Sequence, residues 1–122
     1  MLTLKRTLVP AILAILATAF ALPGCATEAL SPEGAHVAVT RNPPTPDCTP
    51  AGYIVGEGGG TFGGKWLKND SLIEYAMNDL RNKAAQLGAN YVQSDPPTLG
   101  EGHGTTTTAT VTGTAYRCRA SF

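Results

Sequence analysis

The sequence contains few of the residues that usually carry catalysis or bind nucleic acid. Only 15% of its 122 residues are charged, and it has two histidines, three cysteines and one tryptophan. Nine basic and nine acidic residues balance to a formal net charge of zero. The chain therefore lacks a basic patch for a phosphate backbone, and we expect no nucleic-acid partner.

The motifs of the common enzyme classes are also absent. Ser71, Ser94 and Ser121 lack the G-x-S-x-G context of a hydrolase nucleophile. Cys48 and Cys118 have no C-x-x-C spacing, and a disulfide between them would exclude a cysteine nucleophile. We therefore expect a non-catalytic protein, with no catalytic residue and no cofactor.

A glycine-rich segment, Gly58–Gly64, contains two partial phosphate-binding motifs. One fits G-x-G-x-x-G, but the chain lacks the repeated strand–helix units that form a nucleotide crevice. The other fits the P-loop, except that Trp66 replaces the Ser or Thr that would bind magnesium. We expect no nucleotide here and predict a flexible loop. Three of its side chains are candidates for contact with a partner or with the core: Phe62, Lys65 and Trp66.

His103 is the best candidate for a metal ligand, because Glu101 lies two residues before it. A four-ligand site would also need His36 or Asp95, and nothing in the spacing indicates that they come together. A solvated loop histidine is the preferred interpretation, and we predict no metal. A metal-handling domain is kept as an alternative.

The N-terminus has the parts of a bacterial lipoprotein signal. Lys5 and Arg6 provide positive charge, and an apolar run of about 15 residues follows. That run is shorter than the roughly 20 residues of a spanning helix. The stretch Leu22-Pro23-Gly24-Cys25 resembles a lipobox, in which the peptide is cut before the cysteine and the cysteine is acylated. The alternatives are an ordinary secretory signal with an incidental cysteine, and an uncleaved short anchor.

Cleavage before Cys25 would divide the chain into three parts. Residues 1–24 would be the signal peptide, 25–34 the lipidated N-terminus with a short tether, and 35–122 a single domain. The mature chain of 98 residues has the size of one domain, and its seven basic and nine acidic residues give a net charge of −2. Ala26 follows the cysteine, which resembles lipoproteins sorted to the outer membrane.

Cys48 and Cys118 remain once Cys25 is assigned to lipid. An even pair in an oxidising compartment favours a disulfide, which would close a loop of about 70 residues and contribute about 4 kcal/mol. The alternatives are a two-cysteine metal site and free thiols in a reducing compartment. In the last strand Val111 and Cys118 have opposite parity, so we predict a bulge at Gly113–Thr114 that turns Tyr116 and Cys118 inward.

The clearest predicted element is a helix from Ser71 to Leu87. Ser71 and Glu74 have the spacing of a capping box, and Gly88 suits the left-handed residue that ends a helix. Apolar residues recur at helical spacing and predict one buried stripe: Ile73, Ala76, Met77, Leu80, Ala84 and Leu87.

Four segments are predicted as strands: Ala35–Arg41 with Val37 and Val39 inward, Ala51–Glu57, Asn90–Gln93 and Thr105–Arg119. Residues 97–104 are predicted as a loop. The last strand is rich in threonine, which predicts an exposed or edge position. The expected fold is α+β, with a small, mostly antiparallel sheet of about four strands and one main helix packed on a face.

Three short segments are distributed over nearly the whole mature chain: Leu30–Ala35, Asn78–Val92 and Gly113–Cys118. Together they resemble a family of small bacterial lipoproteins that carry a domain of unknown function. The Leu-Gly-Ala-Asn junction after the helix is also similar to that of the outer-membrane sensor lipoprotein of the Rcs envelope-stress phosphorelay. The resemblance implies a disulfide-fastened sheet on one helix and no catalytic residues. The chain differs from that sensor in having one possible disulfide rather than two, and a short tether.

These features predict a lipid-anchored protein of the bacterial cell envelope that binds or senses another envelope component. Its expected partners are the membrane, through lipid on Cys25, and an envelope protein. The alternative is a structural lipoprotein without a specific ligand.

Overall fold

The computed structural model describes residues 28–60, 68–102 and 105–120. Within these ranges the chain forms one α-helix, a short 3₁₀ turn and a five-stranded sheet. The α+β fold with one main helix and a mostly antiparallel sheet is confirmed. In chain order the elements are the turn Gly34–His36, β1 (Ala38–Thr40), β2 (Cys48–Gly59), α1 (Asn69–Gln86), β3 (Tyr91–Ser94), β4 (Thr98–Gly102) and β5 (Thr105–Cys118).

The strands are ordered β1–β3–β5–β2, and β4 pairs with β5. All neighbours are antiparallel except β1 and β3. The prediction that the threonine-rich strand lies at an edge is wrong. β5 pairs with β2 along one side and with β3 and β4 along the other, so it is the central strand. Threonine favours a strand with one exposed face, but its abundance does not indicate how many neighbouring strands pair with that strand.

Two further strand predictions need correction. Residues 97–104 were predicted as a loop, but Thr98–Gly102 pair with β5 as β4. The predicted first strand is shorter, because Ser31 begins a turn: its carbonyl accepts the Ala35 N–H at 3.0 Å. Its hydroxyl also accepts the Gly34 N–H at 2.9 Å. β1 therefore contains only Ala38–Thr40.

The prediction that Val37 and Val39 face inward is confirmed in part. Val37 is buried, and Val39 is half-buried against the core. β2 is longer than predicted, since it begins at Cys48 and continues to Gly59, within the segment predicted as a loop.

The helix begins two residues before the predicted start. Lys68 is the N-cap residue and makes no side-chain cap hydrogen bond, so the capping box at Ser71 and Glu74 is not formed. The fully buried stripe repeats every four residues, through Leu72, Ala76, Leu80 and Ala84. Leu72 was missed by the predicted stripe, whereas Ile73 and Met77 are only partly buried and Leu87 is exposed.

The helix packs directly on the glycine backbone of β2. A Cβ atom on Gly56 would meet the Ala76 carbonyl oxygen and lie 2.7 Å from the Leu80 Cβ. A Cβ atom on Gly58 would likewise meet the Leu72 carbonyl oxygen. Glycine is required at both positions because no side chain fits between this helix and this strand. The glycines that suggested a phosphate loop therefore include one that packs against the helix.

The helix ends at Gln86, and Gly88 takes the left-handed position predicted for it, with a φ of +74°. The Gly88 N–H donates to the Ala85 carbonyl at 2.9 Å, and the Ala89 N–H donates to the Ala84 carbonyl at 3.0 Å. These are the two bonds of a Schellman motif. On the sheet side, Arg117 donates to the Leu87 carbonyl from Nε at 3.2 Å and from Nη2 at 2.9 Å.

Asn90 joins the helix exit to the end of the central strand. Its backbone N–H donates to the Tyr116 carbonyl. Its side-chain Nδ2 donates to the Cys118 carbonyl at 2.9 Å, and its Oδ1 accepts the Cys118 N–H at 2.8 Å. The Asn90 side chain therefore extends the sheet ladder by one residue.

Cys48 and Cys118 form the disulfide that the sequence predicted. The two residues are direct partners in the β2–β5 register. The bulge lies elsewhere than predicted: the register shifts between Pro50 and Gly52 in β2, and β5 pairs regularly with β3 through Gly113–Tyr116. The extra residue therefore resets the alternation of β2 beside the disulfide and leaves that of β5 intact.

Asp47 strengthens the same end of the sheet. Its carboxylate accepts the backbone N–H groups of Arg119 and Ala120, each at 3.1 Å, and the hydroxyl of Thr45. The Thr45 hydroxyl, followed by the Ala120 N–H, lowers the pKa of Asp47 below its ordinary value. The charged form of Asp47 is thus the one that the folded state favours.

The packing of α1 on β2 predicts that Gly56→Ala destabilises the domain. The added methyl group must push helix backbone away, which costs about 1–3 kcal/mol or more in a well-packed core. Gly60→Ala is the matched control, since a Cβ atom there meets nothing within 4 Å. Urea unfolding of both variants measures the difference. Equal midpoints would show that the helix does not pack against this strand.

Removing the disulfide by Cys48→Ser with Cys118→Ser should lower the free energy of unfolding by about 2–5 kcal/mol. The reason is that the unfolded chain loses a constraint on a loop of about 70 residues. Thiol trapping with and without reductant checks the pairing itself. Two reactive thiols in the unreduced, folded protein would contradict it.

The lowered pKa of Asp47 predicts a pH-dependent contribution to stability. Because the folded-state pKa lies below the unfolded one, the contribution is full above the unfolded value of about 3.9 and is lost as the pH falls through the folded value. Asp47→Asn should therefore lower the urea midpoint at pH 7 and match the wild type near the acid end of the titration. A midpoint difference that did not change with pH would contradict a role for the charge.

Candidate functional site

Five of the residues that sequence reasoning proposed lie outside the described part of the chain. They are Cys25, Phe62, Lys65, Trp66 and His103. Cys48 and Cys118 are described and joined to each other.

The two faces of the sheet differ in what covers them. One face packs against α1 and contains the buried odd-numbered residues of β5 from Thr107 to Ala115. The opposite face, here called the open face, carries the alternate residues of the same strand, all half-buried: Thr106, Thr108, Thr110, Thr112 and Thr114. The threonine-rich composition thus corresponds to a row of hydroxyl groups along one face.

A groove of about 370 Å³ lies at one end of the open face. The pairing register explains its position, because Tyr53 on β2 and Gln93 on β3 both lie opposite Thr114 on β5. Three adjacent strands thus present side chains in one row across the sheet. The groove is lined by Arg41, Tyr53, Gln93, Ser94, Asp95, Pro96, Gly113 and Thr114.

Tyr53 is the most exposed large apolar side chain of the described residues, at 67%. Most of the other side chains that line the groove are polar or charged. Asp95 is held in place, since its N–H donates to the Thr112 carbonyl at 2.9 Å and its Oδ2 accepts the Thr112 hydroxyl at 3.1 Å. Gln93 makes a long contact of 3.5 Å from Nε2 to the Arg41 carbonyl. Within the described ranges neither the Arg41 guanidinium nor the Tyr53 hydroxyl has a hydrogen-bond or ion-pair partner.

The residues that line the groove supply groups for several kinds of non-covalent contact. The groove offers an aromatic ring face, cationic hydrogen-bond donors, an anionic acceptor and an amide that both donates and accepts. Its lining residues include no histidine, cysteine or lysine. In the sequence, the alternation of threonine in β5 indicates a polar face but does not locate the groove.

A second depression lies on the outer side of α1, where the N-terminal segment runs along the helix. Its volume is about 390 Å³, and Glu28, Asp79 and Lys83 are among its lining residues. Asn78 Nδ2 donates to the Glu28 carbonyl at 2.9 Å. Asn82 Nδ2 donates to the Ala29 carbonyl at 2.8 Å. Part of the segment predicted as a tether is therefore attached to the helix.

Asp79 and Lys83 cover the outer edge of β2. Asp79 Oδ2 accepts the Glu57 N–H at 2.9 Å, and Lys83 Nζ donates to the Val55 carbonyl at 2.8 Å. The two side chains also form an ion pair at 2.8 Å. Such a pair near the surface contributes little by itself, but it caps edge groups that could otherwise pair with another chain. Burial and the nearby Asp79 carboxylate raise the pKa of Glu28.

Among the described residues, no group of three or more His, Cys, Asp and Glu side chains is placed to hold a metal ion. The same part of the chain contains no helix with the length and apolar character needed to cross a membrane.

A comparison with known protein families assigns the chain to a family. Residues 28–118 match the family described as domain of unknown function DUF4156. The chain belongs to this family. No curated protein matches the sequence. The matched range begins at residue 28, whose carbonyl is bound to α1, and ends at Cys118 of the disulfide. The family domain therefore includes both of these links.

Proposed function

We propose that this DUF4156 domain is held at the cell envelope by lipid on Cys25 and binds another envelope component through the open face. The observation that carries the proposal is the groove at Tyr53. An exposed aromatic ring beside the Arg41 guanidinium, which has no partner among the described residues, has the residue types that dominate binding energy at recognition sites. The protein acts without catalysis, as a binder or sensor.

The anchor is supported by the lipobox-like stretch ending at Cys25 and by the attachment of Glu28 to the helix. Only Ala26 and Thr27 lie between these positions, and each of the three steps along the chain spans at most about 3.5 Å. The domain would therefore lie within about 10 Å of its lipid. Two or more acyl chains, such as palmitate, make such an anchor effectively permanent because each buried CH₂ contributes about 0.8 kcal/mol. Ala26 after the cysteine favours the outer membrane.

A sensing role is supported by the similarity of the helix–strand junction to that of the Rcs sensor lipoprotein. In this chain the junction is a Schellman motif followed by Asn90, which bonds the end of β5. The single disulfide and the short tether argue for a different signal from the one that the Rcs sensor receives. The predicted loop contacts at Phe62, Lys65 and Trp66 would add to the open face if they meet the same partner.

Replacing Cys25 with Ala tests the anchor. Without a thiol to acylate, the variant should accumulate as an uncleaved precursor or as a soluble protein. Fractionation of cells with antibody detection and mass spectrometry of the N-terminus provides the measurement, and the wild type is the control. A variant that lost its signal peptide and still fractionated with the membrane would contradict lipid anchoring.

A photo-reactive residue at Gly60 tests for a partner in living cells. This position tolerates a side chain, because a Cβ atom there meets nothing within 4 Å and its N–H keeps its bond to the Thr107 carbonyl. One specific adduct identified by mass spectrometry would support binding or sensing. No enrichment over a probe-free control would favour the structural alternative, a lipoprotein without a specific ligand.

A further inference from the structure

We infer that the groove at Tyr53 binds a pyranose ring of a linear polysaccharide. This inference rests on the proposed function, because it names the chemical class of the envelope component. It depends on three features of the open face: the ring, the set of polar groups around it and the row of hydroxyl groups that continues beyond it.

The ring provides the apolar part of the site. A pyranose has a face of C–H groups and a rim of hydroxyls, so it needs a flat apolar surface with hydrogen-bonding groups beside it. Tyr53 combines an apolar ring with a polar tip and is 67% exposed.

The polar groups suit sugar hydroxyls better than an anion or a metal ion. Each hydroxyl both donates and accepts, and the groove supplies a donor in Arg41, an acceptor in Asp95 and both in Gln93. One positive and one negative side chain leave the groove without net charge. A phosphate would meet the Asp95 carboxylate, and a cation would meet the Arg41 guanidinium.

The hydroxyl row indicates a chain rather than a single sugar. Thr112, Thr110, Thr108 and Thr106 continue from Thr114 along the same face of β5. At about 3.3 Å per residue this row extends about 26 Å. A linear polymer lying along the strand could contact the row over several units.

A protein partner fits this surface less well. The buried centre of a protein interface is usually apolar. The exposed large apolar side chains of the described residues are Leu30, Tyr53, Leu87 and Leu99, and of these only Tyr53 lines the groove. The other residues that line the groove are polar or charged, apart from Pro96 and Gly113.

Co-sedimentation of the detergent-extracted, full-length mature protein tests the inference. The probes are purified peptidoglycan sacculi and, in a second arm, sedimented vesicles containing lipopolysaccharide with its polysaccharide chain or lacking it. We expect the wild type to bind one of these polysaccharides. Tyr53→Ala should reduce that binding at least about tenfold, the equivalent of about 1.4 kcal/mol, whereas Tyr53→Phe should retain it because the ring remains. Leu99→Ala is the matched control, since it removes an exposed apolar side chain outside the groove.

The two arms identify the source of the polysaccharide. Binding to sacculi points to the wall, and binding only to vesicles whose lipopolysaccharide carries the polysaccharide chain points to the outer leaflet. Unchanged melting temperatures of the Tyr53 variants show that any loss is not due to unfolding. Failure to bind either polysaccharide, or equal binding by Tyr53→Ala, would overturn the inference. A protein adduct from the Gly60 probe together with no polysaccharide binding would leave the proposed function standing and reject only the sugar site.

Discussion

The close approach of α1 to the backbone of β2 determines the rest of this structure. Gly56 and Gly58 leave no side chain between the strand and the helix, so the helix lies against main-chain atoms. The facing helix stripe includes the small residues Ala76 and Ala84, which permit the same short distance. This contact places one face of the sheet against the helix and exposes the other.

The contact also explains why the domain needs fastenings outside its core. A core with many alanines and glycines buries little apolar surface per residue, and a chain of about 100 residues buries only about two thirds of its total surface. The disulfide and Asp47 join the ends of β2 and β5. Asn78 binds the N-terminal segment to the helix. Because these fastenings lie at the margins, the open face can keep polar side chains that contribute little to stability.

Local features of the fold could be predicted from the sequence, and the pairing of strands could not. The helix and the left-handed Gly88 that follows it depend on residues close together in the sequence. The disulfide could be predicted because few alternative cysteine partners exist. The threonine-rich strand was misplaced at an edge because composition reports exposure of a face but not the number of neighbours. The capping box is not formed because the helix begins at Asn69, so Ser71 lies inside its first turn instead of at the N-cap position.

The groove could not be predicted, since Arg41, Tyr53, Gln93 and Thr114 come from four separate segments. Only the register of the three strands β2, β5 and β3 brings them into one row. A one-residue shift in β2 would turn Tyr53 toward the helix, so the bulge between Pro50 and Gly52 helps to decide which face carries the ring. The site is therefore a consequence of register, which no short motif in the chain encodes.

The central claim is that the open face, and not the helix, is the surface that meets another envelope component. Single cysteines introduced at Thr110 on the open face and at the exposed Glu74 on α1 can be labelled with a small, membrane-permeant maleimide in intact envelopes and again after detergent extraction. The account predicts that the cysteine at 110 is protected in envelopes and becomes reactive on extraction, while the cysteine at 74 reacts equally in both. Equal reactivity at 110, or protection confined to 74, would contradict it.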